Sequence, residues 1–212
     1  MATKVYFIRH AKPDISIIDD TIRPLLPEGL EKANELVKLF IEINISNIYS
    51  SPYKRSIQPV EPIAKNKCIK IETADNLRER KISNNWINNY NEYSKNQWND
   101  FSYKLMDGES LAEVQNRNIK ELESILIKSK GKNIIIGTHG TALSTIINYY
   151  DNTYNYENFM EIVNIMPYII MLEFSNTEYI KREEIKIPQK NHNWQDALTA
   201  ESSNPWEGNE NE

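Results

Sequence analysis

Residues 5–13, VYFIRHAKP, carry an uninterrupted strand-forming run, Val5, Tyr6, Phe7 and Ile8, straight into Arg9 and His10. Apolar and β-branched residues without a polar break read as a buried strand. The chain has only three histidines, and a second one repeats the arrangement. Residues 134–147, IIIGTHGTALSTII, form another apolar strand that stops at His139, between Gly137 and Gly140.

Working outward from these two strands, short apolar runs alternate with helical patterns. From Leu30, apolar residues at Ala33, Leu36, Val37, Phe40 and Ile41 mark one face of an amphipathic helix. A short strand is expected at 47–49, a helix after Pro52 and a strand around 69–72. Pro59 and Pro62 fall inside that helix, where each removes an internal hydrogen bond and favours a bend. Ser110 and Glu113 form a capping box that opens a helix with Leu111, Val114, Leu122, Ile125 and Leu126 on one side, ending near Gly131. Residues 134–136 read as a buried strand, 142–150 as a helix, and YIIMLEF with YIKREEIKI as two late strands in a hairpin. Strands separated by helices predict an α/β fold of three layers, a central mostly parallel sheet with helices on both faces.

The domain is expected to span 1–190. Two segments depart from the rhythm. Residues 81–109 are rich in Asn and aromatics (Trp86, Tyr90, Tyr93, Trp98, Phe101, Tyr103) and read as a lid insertion over one end of the sheet. Residues 191–212 read as a mobile acidic tail, with little to bury over 196–212 beyond Leu198 and Trp206, and His192 reads as a surface residue.

Composition narrows the function. Of 212 residues 40% are apolar and 26% charged, ordinary for a soluble globular protein. A net charge of −5 and the lack of a basic cluster argue against a nucleic-acid partner. No run is long enough for a signal peptide or a membrane span, so a cytoplasmic protein without membrane association is expected. The single cysteine, Cys68, has no internal partner and reads as a small buried hydrophobe in a strand. Oligomeric state is left open, a homodimer included.

Ligands of open α/β sheets bind at the carboxyl ends of strands. Arg9, His10 and His139 sit at such ends, Arg55 follows one in IYSSPYKRSIQ, and Glu79 follows another in TADNLRER. That set suits a phosphoryl group. Arginine forks hold its non-reacting oxygens bidentately, and their charge keeps a neighbouring imidazole neutral and nucleophilic. A second imidazole and a carboxyl group can deliver protons. Glu72 and Asp75 are rivals to Glu79 for the carboxyl role. With no Gly-rich Walker loop and no acidic cluster for magnesium, metal-free chemistry without a cofactor is expected.

FIRHAKP, SSPYKRSIQ, NLRER, MDGESLAEV and IIIGTHGTA, in this order and spacing, resemble the histidine phosphatase superfamily, also called phosphoglycerate mutase-like. The resemblance spans roughly residues 5–174. It implies that His10 is a nucleophile that becomes phosphohistidine, that Arg9, Arg55 and His139 hold the phosphoryl group, and that Glu79 is the proton donor. Departures from the family pattern occur after the Arg-His pair. Ala11 stands for a glycine, Pro13 for a Thr or Ser, and Ser16 aligns with an Asn that adds a phosphate contact. The family's mutases carry a Tyr-Gly after the acid and a longer basic segment, which RERKISNNWINNYNEY lacks. A phosphomonoesterase acting on a small phosphorylated metabolite is therefore expected. The alternatives are mutase-type phosphoryl transfer and a non-catalytic phosphate-binding or signalling module. Lys81, Lys95 and Lys104 in the insertion suit many small phosphorylated compounds, and a phosphorylated protein stays open.

Overall fold

The two apolar runs become adjacent central strands of one six-stranded sheet. The computed structural model describes residues 2–85 and 87–187. Strands β1 (Thr3–Arg9), β2 (Ile45–Ser50), β3 (Ile71–Thr73), β4 (Asn133–Thr138), β5 (Tyr168–Ser175) and β6 (Glu178–Glu184) lie in the order β3-β2-β4-β1-β5-β6. β1 to β4 pair in parallel. β5 runs antiparallel to β1 and returns through a hairpin to β6. The expected α/β class with a mostly parallel sheet is the fold observed.

Side-chain alternation feeds two cores. Val5 and Phe7 of β1 and Ile134 and Ile136 of β4 meet helices α5 (Leu111–Lys128), α6 (Gly140–Tyr150) and α7 (Tyr156–Val163). Tyr6, Ile8 and Ile135 turn to the opposite face, against α1 (Pro27–Phe40) and α3 (Glu61–Lys67). Burial on both faces explains why these strands read as unbroken apolar runs. The outer strand β6, by contrast, is almost wholly exposed and carries charges of both signs, which suits an edge.

Several local expectations shift. The helix after Pro52 is two short ones, α2 (Lys54–Ile57) and α3. Pro59 lies in the break between them, and Pro62 sits in the first turn of α3, where a missing N–H costs nothing. Cys68 is exposed rather than buried in a strand. It takes a left-handed conformation, φ 55°, that ends α3, and β3 starts only at Ile71. Helix α7 escaped the sequence reading because its signal is an Asn155–Asn158 capping box, weaker in pattern than the Ser110–Glu113 box that opens α5. The segment 81–109 contains a helix, α4 (Tyr90–Asn99), whose Trp98 stacks on Phe159 of α7 at 5.7 Å and meets Phe101 edge-on at 5.5 Å. Most of its aromatics are thus packing residues. The expected acidic tail, with His192, and Trp86 lie outside the described residues.

Gly137 sets how closely α2 approaches β4. A Cβ there would sit 2.6 Å from the Ser56 carbonyl oxygen and 2.7 Å from Ser50 Oγ. Gly137→Ala is expected to lower stability by about 1–3 kcal/mol, the usual cost of overpacking, in urea unfolding. A loss under about 0.5 kcal/mol, within the range of ordinary surface changes, would show that α2 is not seated on β4 this tightly.

Candidate active site

Register brings the site together. Arg9 of β1 pairs with Thr138 of β4, and Ser50 of β2 pairs with Gly137. Of the residues that follow, His10 and His139 therefore emerge at one level and Ser51 one residue below them, from three neighbouring parallel strands. Two backbone bonds continue the ladders past the strand ends, from His10 N to Thr138 O at 3.2 Å and from Ser51 N to Gly137 O at 3.1 Å. The His10 and His139 rings meet edge-on, 5.4 Å between centroids. Arg9, His10, Arg55 and His139 are all buried, none more than 7% exposed.

His10 donates Nδ1–H to the Ala11 carbonyl at 2.8 Å, the only role a carbonyl partner allows. That fixes the lone pair on Nε2, which accepts from Arg55 Nε at 3.3 Å. Burial first, then the Arg55 and Arg9 charges, holds the His10 imidazole well below the ordinary histidine range. His139 is lowered in the same way by burial, Arg55 and His10. Its Nε2 bonds Ser51 Oγ at 2.8 Å, and its Nδ1 has no hydrogen-bond partner among the described residues. When Nε2 accepts from the serine hydroxyl, Nδ1–H is left to donate to an anion.

The two arginines are anchored differently. Arg9 Nη1 donates to Ile162 O at 2.6 Å, at the C-terminal end of α7, the negative end of its dipole. Its guanidinium packs so closely on Gly140 that a Cβ there would fall 3.2 Å from Arg9 Nε, and that Nε has no partner among the described residues. Arg55 is held from behind by Asp20. Its Nη1 donates to Asp20 O at 2.5 Å and lies 3.0 Å from Oδ1, and its Nη2 donates to Oδ2 at 3.0 Å. The edge formed by Nε and the second Nη2 hydrogen then faces His10. Asp20 also takes Arg23 Nη1 at 2.6 Å, and Arg23 adds to the positive field on His10.

Glu79 lies at the N-terminus of α6, directly beyond His139. Its Oε2 accepts from Thr141 N at 3.0 Å, and its Oε1 accepts from Ala142 N at 3.1 Å and Arg80 N at 2.7 Å. A carboxylate suits the positive end of a helix. The rivals are elsewhere: Glu72 is exposed on the edge strand β3, and Asp75 is exposed and bonded to Arg78 at 3.1 Å. All five residues picked from the sequence therefore converge. Ser16 does not join them. It is exposed, and its N–H and hydroxyl both bond Asp14 Oδ1 in a local turn. Asp20 was missed, because an acid in IDDTIRP has no pattern that distinguishes it from a solvated loop residue. Among the described residues no three His, Cys, Asp or Glu side chains form a metal-ligand group, and no helix is long and apolar enough to cross a membrane.

The family model of the histidine phosphatase superfamily (branch 1) matches residues 5–201. The chain belongs to that superfamily. A phosphoglycerate mutase-like protein 4 of Arabidopsis thaliana is 34% identical over 130 residues, 56% of this chain and 56% of that protein, so the match spans a little over half of that relative. Among solved structures, Bacillus stearothermophilus YhfR superposes with a TM-score of 0.69 at 19% identity, covering 84% of this chain and 94% of its own. Phosphoserine phosphatase of Entamoeba histolytica in complex with 3-phosphoglyceric acid gives 0.66 at 18%, over 89% and 98%. Phosphoglycerate mutase of Bacillus anthracis gives 0.66 at 18%, over 87% and 92%. At such identities these structures show a shared fold.

Two depressed imidazoles have a pH consequence. Their folded pKa values lie below the unfolded value of about 6.5, so the unfolded chain binds protons there first as pH falls. The stability they confer is complete above about pH 6.5 and is lost as pH falls toward the folded values. Melting temperature should therefore decline below pH 6.5, and less steeply in His139→Gln. In NMR titrations from pH 8 to 5.5, two imidazole Cε1–H signals should hold still. Normal titration of all three histidines would show that the pocket does not exclude the charged form.

Proposed function

We propose that this chain is a metal-independent phosphomonoesterase that works through a phosphohistidine on His10. The observation that carries the reading is the neutral His10 imidazole, its Nε2 lone pair fixed by the bond from Nδ1 to Ala11 and set among Arg9, Arg55 and His139. Such a site offers a nucleophile inside preorganised positive charge, the main requirement of phosphoryl transfer.

In the proposed cycle His10 Nε2 attacks phosphorus and the ester P–O bond breaks. Glu79, as carboxylic acid, protonates the departing alkoxide. Arg9, the Nε–Nη2 edge of Arg55 and His139 Nδ1–H hold the three non-reacting oxygens. Water then attacks the phosphohistidine, Glu79 takes its proton, and the P–N bond breaks to release phosphate and free His10. To serve as acid, Glu79 must take up a proton while the Thr141 and Ala142 amides keep its carboxyl in place.

Hydrolysis is favoured over mutase transfer because a mutase must also hold the far end of a phosphoglycerate. The two arginines that flank the acid in the chain are engaged by protein groups: Arg78 by Glu109 and Asp75, and Arg80 by Gln97 and Tyr90. The segment 81–109 is proposed as the lid that selects a small phosphorylated metabolite. A non-catalytic module is disfavoured by the intact set of His10, Glu79 and His139.

His10→Ala should abolish turnover with every ester. Glu79→Gln should cost about 10²–10⁴-fold in kcat/KM on alkyl phosphates, the worth of general acid catalysis, and much less on p-nitrophenyl phosphate, whose leaving group departs unaided. Equal losses on both esters would remove Glu79 from the acid role. Hydrolysis should survive EDTA and fall with vanadate. Activity lost to chelation and restored by magnesium or zinc would overturn the metal-free reading.

A further inference from the structure

The motif MDGESLAEV contains Glu109, a residue the proposed chemistry does not use. Its carboxylate is largely buried and faces Arg117 of α5 in a paired fork, Arg117 Nε to Oε1 at 2.9 Å and Nη2 to Oε2 at 3.0 Å. Arg117 spends its remaining donors on the backbone that carries Glu79. Nη1 bonds Asn76 O at 2.8 Å and Arg78 O at 2.7 Å, and Nη2 bonds Glu79 O at 3.1 Å. All five N–H groups of the guanidinium are therefore satisfied, three of them by carbonyls of residues 76, 78 and 79. Glu109 grips the same loop from its other side, taking Arg78 Nη2 at 2.7 Å on Oε1 and Lys81 N at 3.0 Å on Oε2.

Residues 78–81 belong to neither helix nor strand, so their polar groups need partners from elsewhere. Arg117 and Glu109 supply them on both sides of Glu79. Burial alone would raise the Glu109 carboxyl, but the Arg117 fork, the Lys81 amide and the Arg78 charge outweigh it and hold it below the usual carboxylate range. Glu109 is thereby favoured as the carboxylate.

We infer that Arg117 and Glu109 are positioning residues for the acid, a clamp that fixes the Glu79 backbone to α5 so that its carboxyl meets the start of α6. The clamp depends on the flat fork of arginine. Lysine offers a point charge on a flexible stem and cannot span three carbonyls and two carboxylate oxygens at once. The inference rests on Glu79 acting as the acid, and the experiment separates the two.

Arg117→Lys should reduce kcat/KM on alkyl phosphates by up to about 10²-fold, the scale of a 1 Å misplacement, with a far smaller loss on p-nitrophenyl phosphate. Placed in the Glu79→Gln background, the same change should add little, because both act through one group. Vanadate affinity, which reports the arginine and histidine pocket, should stay unchanged. Hydrogen exchange at the Thr141 and Ala142 amides should quicken in Arg117→Lys, which reads Glu79 placement whatever its chemical role. Glu109→Gln should show the same pattern and serves if Arg117→Lys does not fold. Unchanged exchange at 141 and 142 would overturn the clamp, as would equal losses on both esters or full additivity where Glu79→Gln does show leaving-group dependence. If Glu79→Gln itself shows no leaving-group dependence while exchange at those amides quickens, the acid assignment fails and the clamp stands.

Discussion

Parallel pairing of β1 with β4, in the register that sets Arg9 opposite Thr138, places two imidazoles side by side where both strands end. The rest of the site hangs on that pairing. A shift of one residue along either strand would turn Val5 and Phe7 out of one core and Tyr6 and Ile8 out of the other, because side chains alternate with period two. The apolar faces therefore lock the register, and the locked register fixes the separation of His10 and His139. Core and site are consequences of one constraint.

Bringing two guanidiniums into so dry a place needs compensation, since a buried charge without partners is strongly disfavoured. The fold offsets it in two ways. Arg9 lies against the C-terminal carbonyls of α7, and Arg55 against the carboxylate and carbonyl of Asp20. Glu79 is treated with the opposite sign, held by amides in the first turn of α6. Two helix ends, the start of α6 and the end of α7, thus provide local fields of opposite sign. Burial lowers Arg9, and the Glu79 charge is the largest influence opposing that. The imidazoles between these groups are depressed, first by burial and then by the Arg55 charge.

The segment 81–109 is tied at its base by Glu109, whose N–H bonds Lys81 O at 2.7 Å and whose carboxylate bonds Lys81 N. Gln97 of α4 bridges Tyr103 O and Glu109 O from inside, both at 2.9 Å. The aromatic-rich insertion is therefore internally bonded and anchored on α7 by Trp98, rather than an open loop. Arg80 lies under it, its guanidinium 5.6 Å from the Tyr90 ring centroid and 5.5 Å from that of Tyr93. Packing, not solvent, decides what these aromatics do.

Local pattern was enough to locate the strands that end at His10 and His139, the helix opened by Ser110 and the late hairpin, and to single out five candidate residues for one pocket. Each is written in a local pattern: an unbroken apolar run, a capping box, a strand followed at once by a charged or imidazole side chain. The sequence alone misjudged Cys68, whose left-handed conformation ends α3, and it expected only a bend at Pro59–Pro62 where the helix breaks in two. It could not show that Asp20 backs Arg55, that Ser51 holds His139, or that Arg117 reaches the carbonyls of 76, 78 and 79. Those partners are separated by 35, 88 and about 40 positions along the chain. Hydrogen bonds across such distances leave no periodicity in the sequence. Only the closing of strands β2, β4 and β1 into one sheet brings the donors within 3 Å or so of their acceptors.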